Sequence, residues 1–369
     1  MTKILFLIHD LGQGGAEKVL VNLVNNMDRS KFDISVTVLF GGGVNEQFLK
    51  PDIQFRAVFP TMIPGNSRWM KLLSPAALHR LCVKEHYDIE VSYLEGPSAR
   101  VVSGCADPDT KLVSWIHCTM GSRADITGAF RSDREAQACY NGFHAHVFVA
   151  DTVRQAFLEH CPVRGETYIL YNTNESGRIR QLAMEPAEPF PEGEGIRLCA
   201  TGKLVGVKGF DRLLRVHGRL RAEGYPIRTC ILGEGDMRGQ LEEFIRENGL
   251  EDSVILPGYR TNPYPYLARS DLFVCSSHAE GFSTAATEAL IVGTPVCTVE
   301  VSGMKEMLGQ NNEWGVVTEN SEEALYRGIR SLLDDPALLA HYREKAVQRG
   351  RSFSTETTVR AVENMLLDL

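Results

Sequence analysis

"IRLCATGKLVGVKGFDRLL", residues Ile196–Leu214, decides the fold. A strand expected over 196–200, apolar but for Arg197, enters a turn punctuated by Gly202, Gly206 and Gly209, and from Phe210 the apolar residues recur at helical spacing. Strand, glycine-rich turn and helix in that order are the first two parts of a βαβ unit. A strand with so few polar positions is expected to be buried on both faces, as in a parallel sheet.

The same rhythm extends in both directions. Downstream come "IRTCILG", "SVILPG", "DLFVCSS", "TPVCTV" and "WGVVTE", with helices expected at 210–222, 236–247, 284–292 and 322–333. Upstream come "KILFLIH", "DISVTVLF", "DIEVSYL", "KLVSWIH", "AHVFVA" and "TYILYN", with helices expected at 16–27, 69–85, 98–104, 132–141 and 152–160. Between Asn172 and Gly195 the pattern stops: "EPAEPFPEGEG" holds three prolines, four glutamates and two glycines, a composition for an exposed connector. The expectation is an α/β chain of two Rossmann-like, doubly wound domains, 1–175 and 196–352, joined by a linker at 176–195. A last helix at 353–369 is expected to pack back on the first domain. A length of 369 residues with 43% apolar composition suits two cores better than one. In open sheets of this kind ligands sit outside the carboxyl ends of the strands, so the loops that follow strands carry the chemistry.

Composition narrows the function. A net charge of −8 argues against a protein that coats nucleic acid. The nine cysteines are scattered, odd in number and form no C-x-x-C pair, which indicates neither a disulfide framework nor a zinc site and fits a reducing cytosol. "MTKILFLIHD" has only five apolar residues in a row before His9, too few for a signal segment or a membrane span, and reads as a first strand.

Several places carry candidate chemistry. In "EGFSTAATEAL", Ser283 is suited to cap a helix, leaving the amides of Thr284, Ala285 and Ala286 at the positive end of a helix dipole, where an anion binds. Glu288, about one turn in, leans back toward that end and can accept two hydrogen bonds from a vicinal diol, while Glu280 precedes the turn. By themselves two glutamates so spaced read more readily as a capped core helix with a solvated carboxylate. Lys203 and Lys208 lie on the glycine-punctuated turn and could hold a diphosphate without a metal, although two loop lysines alone are usually just solvated.

In "HDLGQGGAEK", Glu17 stands where a G-x-G-x-x-G motif needs its third glycine, so a dinucleotide cofactor gains only weak support. His117 closes the strand "KLVSWIH" and should face the ligand side, but a lone strand-end histidine is more often structural. His144 and His146 alternate on one strand without a third ligand nearby and read as structural. "NSRWMKLLSPAALHRLCVKEH" sets Arg68, Lys71, Arg80 and Lys84 beside Trp69, Leu72, Leu73 and Leu81. Such a helix can lie on an anionic membrane surface, but the residues alone favour an ordinary crossover helix with a solvated face.

With their context, "GKLVGVKGFDRLL" (202–214), "VILPGY" (254–259), "DLFVCSSHAEGFSTAATEALIVGTPVCT" (271–298) and "GGAEKVLVNL" (14–23) resemble the retaining glycosyltransferases of family 4, bacterial glycan-assembly enzymes among them. The resemblance implies the GT-B fold, two Rossmann-like domains facing a central cleft. It also implies transfer of a hexose or N-acetylhexosamine from a nucleoside-diphosphate sugar, a UDP-sugar first of all, to a hydroxyl of a glycan or polyprenol-linked sugar. Neither a metal nor another cofactor is implied.

Lys208 matches the lysine of the family's Lys-Gly pair; Lys203 stands where many relatives carry arginine and lacks the bidentate fork. By resemblance, Glu288 holds the ribose, and Glu280 with the amides of Gly281 and Phe282 contacts the transferred sugar. Gly202, Ser283 and Thr284 border the diphosphate, the base lies near Gly258, Tyr259 and Arg260, and His117 stands near the donor sugar. The Gly14–Gly15 loop approaches the diphosphate and the acceptor. A cytoplasmic protein with a peripheral membrane contact through its first domain is implied, because many relatives act on lipid-linked sugars. A nucleotide-sugar epimerase or phosphorylase of the same fold, or a non-catalytic binding module, remains an alternative; Lys208, Glu280 and Glu288 together favour transfer.

Overall fold

Apolar strands alternating with amphipathic helices build two parallel sheets. The computed structural model describes residues 1–12, 14–63, 65–186, 190 and 193–369. The chain divides into Met1–Asn174 with Thr355–Leu369, and Glu175–Ser354.

The first unit holds β1 (Thr2–Ile8), β2 (Phe32–Phe40), β3 (Gln54–Phe59), β4 (Ile89–Ser92), β5 (Lys111–Ile116), β6 (Ala145–Phe148) and β7 (Glu166–Ile169), in the order β3-β2-β1-β4-β5-β6-β7. All pairings are parallel; Ile4, for example, sits between Ile34 and Ile89. Residues Ile4 to Ile8 are buried, as a central strand covered on both faces requires.

β3 is absent from the strands read in the sequence. At the sheet edge it needs no two-faced apolar run, and it carries Arg56, whose Nη1 donates to Cys82 O at 2.9 Å. The single helix expected at 69–85 is two, Asn66–Met70 and Pro75–Cys82. Ser74 starts the second by accepting from Ala77 N at 3.2 Å, with Pro75 at the first helical position. Trp69 packs edge-on against Phe59 at 5.5 Å, and Leu72, in the break, is 81% exposed. The helix Thr355–Leu367 packs on the helix Gly15–Asn26, and Glu363 accepts from Asp28 N at 2.7 Å.

The second unit holds β8 (Ile196–Thr201), β9 (Ile227–Leu232), β10 (Val254–Gly258), β11 (Leu272–Cys275), β12 (Val296–Val299) and β13 (Val316–Thr318), parallel in the order β10-β9-β8-β11-β12-β13. Leu198, Leu213, Ile231, Val274 and Leu325 belong to its core. The segment 176–195, read as connector, opens instead with the helix Ser176–Leu182. Ile179 is buried there and Arg180 Nε donates to Ile291 O at 3.2 Å, so the helix is packed against its own unit; 187–189, 191 and 192 lie outside the described residues. A helix the sequence reading lacked, Pro336–Arg351, is started by Asp335, which accepts from Ala337 N and Leu338 N, both at 3.0 Å. It packs along the helix Thr284–Ile291, where a Cβ on Gly350 would collide with Leu290 O.

Strand order reverses between β1 and β4 in one sheet and between β8 and β11 in the other. Neighbouring loops diverge at such points and leave room for a ligand. Among the described residues, no helix is long and apolar enough to cross a membrane.

Candidate active site

In the second unit, β8 leads through the short 3-10 turn Gly206–Lys208 to Gly209, whose φ is +62°, and then to the helix Phe210–Ala222. A Cβ on Gly209 would collide with Ser276 O. Both the left-handed backbone and the close approach call for glycine. The Lys208 turn is thereby strapped to the end of β11: Ser276 Oγ donates to Lys208 O at 3.1 Å and His278 N to Val207 O at 2.7 Å. Arg212, 3% exposed, completes the strap with Nε on Ser276 O and Nη2 on Ser277 O, each at 2.6 Å, and Nη1 on Asn320 Oδ1 at 2.9 Å. A buried guanidinium satisfied by two carbonyls and an amide fixes the loop's path.

On this frame Lys208 Nζ lies 2.7 Å from Glu280 Oε1, which also accepts from Ser277 Oγ at 2.6 Å. Lys203 is on the same turn but exposed.

The helix Thr284–Ile291 begins at Ser283, whose Oγ accepts from Ala286 N at 3.3 Å. One of the three amides expected to be free is therefore taken by the cap, and the donors that remain for an anion at this end are those of Thr284 and Ala285. Glu288 is 5% exposed and accepts from Tyr264 OH at 3.2 Å. This disposes of a solvated glutamate: a carboxylate so buried needs donors. A Cβ on Gly303, whose φ is +77°, would collide with Gly281 O, and Phe282 is buried with its ring 5.9 Å from Phe353. Gly258 ends β10 at φ +88°, followed by exposed Tyr259 and half-buried Arg260. The Glu234–Arg238 ion pair, at 2.7 Å, stands beside Gly258.

In the first unit, His117 directly follows β5 and is 7% exposed. Its ring lies 4.8 Å from that of Tyr93 and 6.1 Å from that of Trp115, nearly parallel to the latter. Burial pushes its pKa down to about 3, so the imidazole is neutral. Nε2 has no hydrogen-bond partner among the described residues. The His117 N–H donates to Glu95 Oε2 at 3.0 Å, and burial raises the pKa of Glu95.

Gly14 precedes the helix Gly15–Asn26, and a Cβ on it would collide with the Glu17 carboxylate, which folds over the helix start. Burial raises the pKa of Glu17. The Asp10 pKa is lowered, first by the His9 hydrogen bond (2.6 Å). The loop read as a bare glycine approach to a diphosphate is thus lined by two carboxylates, and an anion at this helix start requires Glu17 to give way.

Three other histidines of the first unit have internal hydrogen-bond partners. His144 Nδ1 accepts from Leu112 N at 3.0 Å, and buried His146 pairs with Ser114 Oγ at 2.7 Å. His79 Nε2, 2.8 Å from Glu90 Oε2, is the partner of that buried carboxylate.

Sequence reasoning missed Arg212, Ser277, Tyr264 and Glu95. Arg212 alone left a trace, as a charge on the apolar face of the helix that follows the lysine turn.

Residues 13–173 match the family model described as Glycosyltransferase Family 4, and residues 185–351 match Glycosyl transferases group 1. The chain is 27% identical, over the full length of both proteins, to the N-acetylgalactosamine-N,N'-diacetylbacillosaminyl-diphospho-undecaprenol 4-alpha-N-acetylgalactosaminyltransferase of Campylobacter jejuni. It is 30% identical to the lipopolysaccharide core biosynthesis glycosyltransferase LpsD of Rhizobium meliloti over 46% of this chain and 47% of that one. In fold it is similar to Anabaena HepE in complex with UDP (TM-score 0.76, 19% identity, all of both chains). Sucrose-phosphate synthase from Thermosynechococcus elongatus is also similar (TM-score 0.78, 17% identity, 99% of this chain and 98% of that one). Two family models that between them cover both units, and a full-length relative, agree with the fold: the chain is a glycosyltransferase of GT-B fold and belongs to family 4.

Proposed function

We propose that the enzyme transfers a hexose or N-acetylhexosamine from a UDP-sugar to a hydroxyl of a glycan or polyprenol-linked sugar, with retention of configuration, in surface-glycan assembly. The observation that carries this reading is the Lys208–Glu280 pair at the switch point of the second sheet, with buried Glu288 on the adjoining helix. Lys208 takes the diphosphate, helped by Lys203 and the amides of Thr284 and Ala285, without a metal. Glu280, released from Lys208, accepts from hydroxyls of the sugar, and Glu288 accepts from the ribose hydroxyls. The base lies over the Gly258–Arg260 turn.

As the bond from the anomeric carbon to the phosphate oxygen breaks, negative charge grows on the diphosphate, where Lys208 stabilises it more than in the ground state. The leaving oxygen takes the proton of the acceptor hydroxyl as the new glycosidic bond forms on the same face. His117, neutral and with Nε2 unmatched, offers one hydrogen bond to a donor-sugar hydroxyl.

The Campylobacter relative, by its name, acts on an undecaprenol-diphosphate-linked sugar, and this supports a lipid-linked acceptor here. A peripheral contact with the cytoplasmic face of a membrane belongs to the same proposal. It draws support from exposed Leu72 in the break before Ser74, where Arg131 donates to Lys71 O at 2.6 Å and to Leu72 O at 2.7 Å.

A donor screen tests the reading: UDP-, GDP- and ADP-sugars with polyprenol-diphosphate-linked and soluble sugar acceptors, scored by nucleoside-diphosphate release and by the anomeric configuration of the product. Acceptor-dependent UDP release with retention is expected. Release from another donor alone, or an inverted product, rejects that part of the proposal.

A further inference from the structure

We infer that Glu95 is a positioning residue for His117: its carboxylate supplies the acceptor that the sheet does not, and so sets where the imidazole presents Nε2. This rests on the proposal that His117 contacts the donor sugar.

The β4–β5 ladder ends at the pair Ser92–Ser114. His117 is three residues further on, beyond the last backbone carbonyl of β4 in that ladder, yet its N–H is bonded, to Glu95 Oε2 at 3.0 Å. A side-chain oxygen thus continues the hydrogen bonding of the sheet past its end.

Glu95 is itself fixed on both sides. Before it, Ser92 Oγ donates to Leu94 O at 2.7 Å; after it, Gly96 takes φ +77° and ψ −120° and leads into a helix with Pro97 at its first position. Such a backbone is suited to glycine and turns the chain from β4 into that helix. The Trp115 ring lies nearly parallel to that of His117 and the Tyr93 ring is tilted by 49° to it, contacts that do not by themselves fix where the imidazole sits along its own plane. The backbone anchor removes that freedom. An unmatched, buried Nε2 is useful only if it is held where a substrate hydroxyl arrives.

The test uses the full chain with its donor and acceptor. Glu95→Gln keeps an acceptor oxygen at the same reach; Glu95→Asp keeps the charge but withdraws it by one methylene. His117→Ala is expected to lower kcat/KM tenfold or more. Glu95→Gln should stay within about threefold of the parent, Glu95→Asp should fall about tenfold, and affinity for UDP, which lacks the sugar, should be unchanged in both. In the His117→Ala background Glu95→Asp should cost less than twofold further, since residues acting through one another do not add. The inference is overturned if Glu95→Asp costs the same factor with and without His117, or if Glu95→Gln is the damaging change and Glu95→Asp the tolerated one. If His117→Ala leaves turnover unchanged, the role of His117 in the proposed function fails first, and this inference with it.

Discussion

Lys208 and Glu280 neutralise each other, with Nζ and Oε1 2.7 Å apart, across 72 residues of sequence. Each is the group that the proposed reaction needs for a different end of the donor. A diphosphate that claims Lys208 frees the Glu280 carboxylate for sugar hydroxyls, so one exchange of partners arms both.

This exchange predicts an asymmetry in Glu280→Gln. Removing the internal anion releases Lys208, and a partly exposed ion pair contributes at most about 1 kcal/mol, so UDP should bind about two- to fivefold more tightly. Turnover should fall at least tenfold, because the amide is a poorer acceptor for sugar hydroxyls. Calorimetry with UDP and a UDP-release assay on one preparation measure the two; weaker UDP binding contradicts the exchange.

Glu288 is held inside the site by burial and by Tyr264 OH at 3.2 Å. Hydrogen bonds to a charged acceptor contribute about 1.5–3 kcal/mol, so Glu288→Ala should weaken UDP binding about ten- to a hundredfold. UDP and uracil should be compared: the loss is expected only for the ligand that carries ribose. Equal losses, or none, would remove Glu288 from that role.

At Gly209 the left-handed φ of +62° and the contact with Ser276 O are met by glycine alone. Gly209→Ala is expected to cost about 1–3 kcal/mol of stability and to displace Lys208. Chemical denaturation should show a lower midpoint, and turnover should drop more than UDP binding; a wild-type midpoint counts against the strap.

Much of this site was legible in sequence because its parts are local. The glycine spacing around Lys208, the Ser283 cap and the seven residues between Glu280 and Glu288 each fall within one turn–helix segment. Among the described residues, twelve of the thirteen strands fall on segments whose apolar residues marked them in the sequence; β3, at an edge and carrying Arg56, does not. What escaped depends on partners far along the chain. Arg212 meets Ser276 and Ser277 from 64 and 65 residues away, and Glu95 meets His117 from 22. Pattern reading could not pair them. The break at Ser74-Pro75 was visible, but the apolar periodicity continuing through it concealed the cap.

Three buried histidines predict a pH dependence of stability. Burial lowers the pKa of His117 to about 3 and those of His146 and His217 to about 4, from 6.5. Below pH 6.5 the unfolded chain takes up protons at these sites that the folded chain refuses, so stability falls as pH drops from about 6.5 toward 4. Each histidine contributes about 1–2 kcal/mol of loss between pH 7 and 5. Glu17 and Glu95, with raised pKa, oppose this in part. Denaturation midpoints at pH 7.5 and 5.0 should differ accordingly, and His217→Gln should flatten the difference; an unaltered midpoint at pH 5.0 contradicts it.

The most direct test of the central claim is the turnover of Lys208→Ala measured beside its UDP affinity. If Lys208 stabilises charge as the diphosphate departs, acceptor-dependent UDP release should fall a hundredfold or more while the dissociation constant for UDP rises less than tenfold. Turnover within twofold of the parent, or a loss of binding that accounts for the whole loss of turnover, would contradict it.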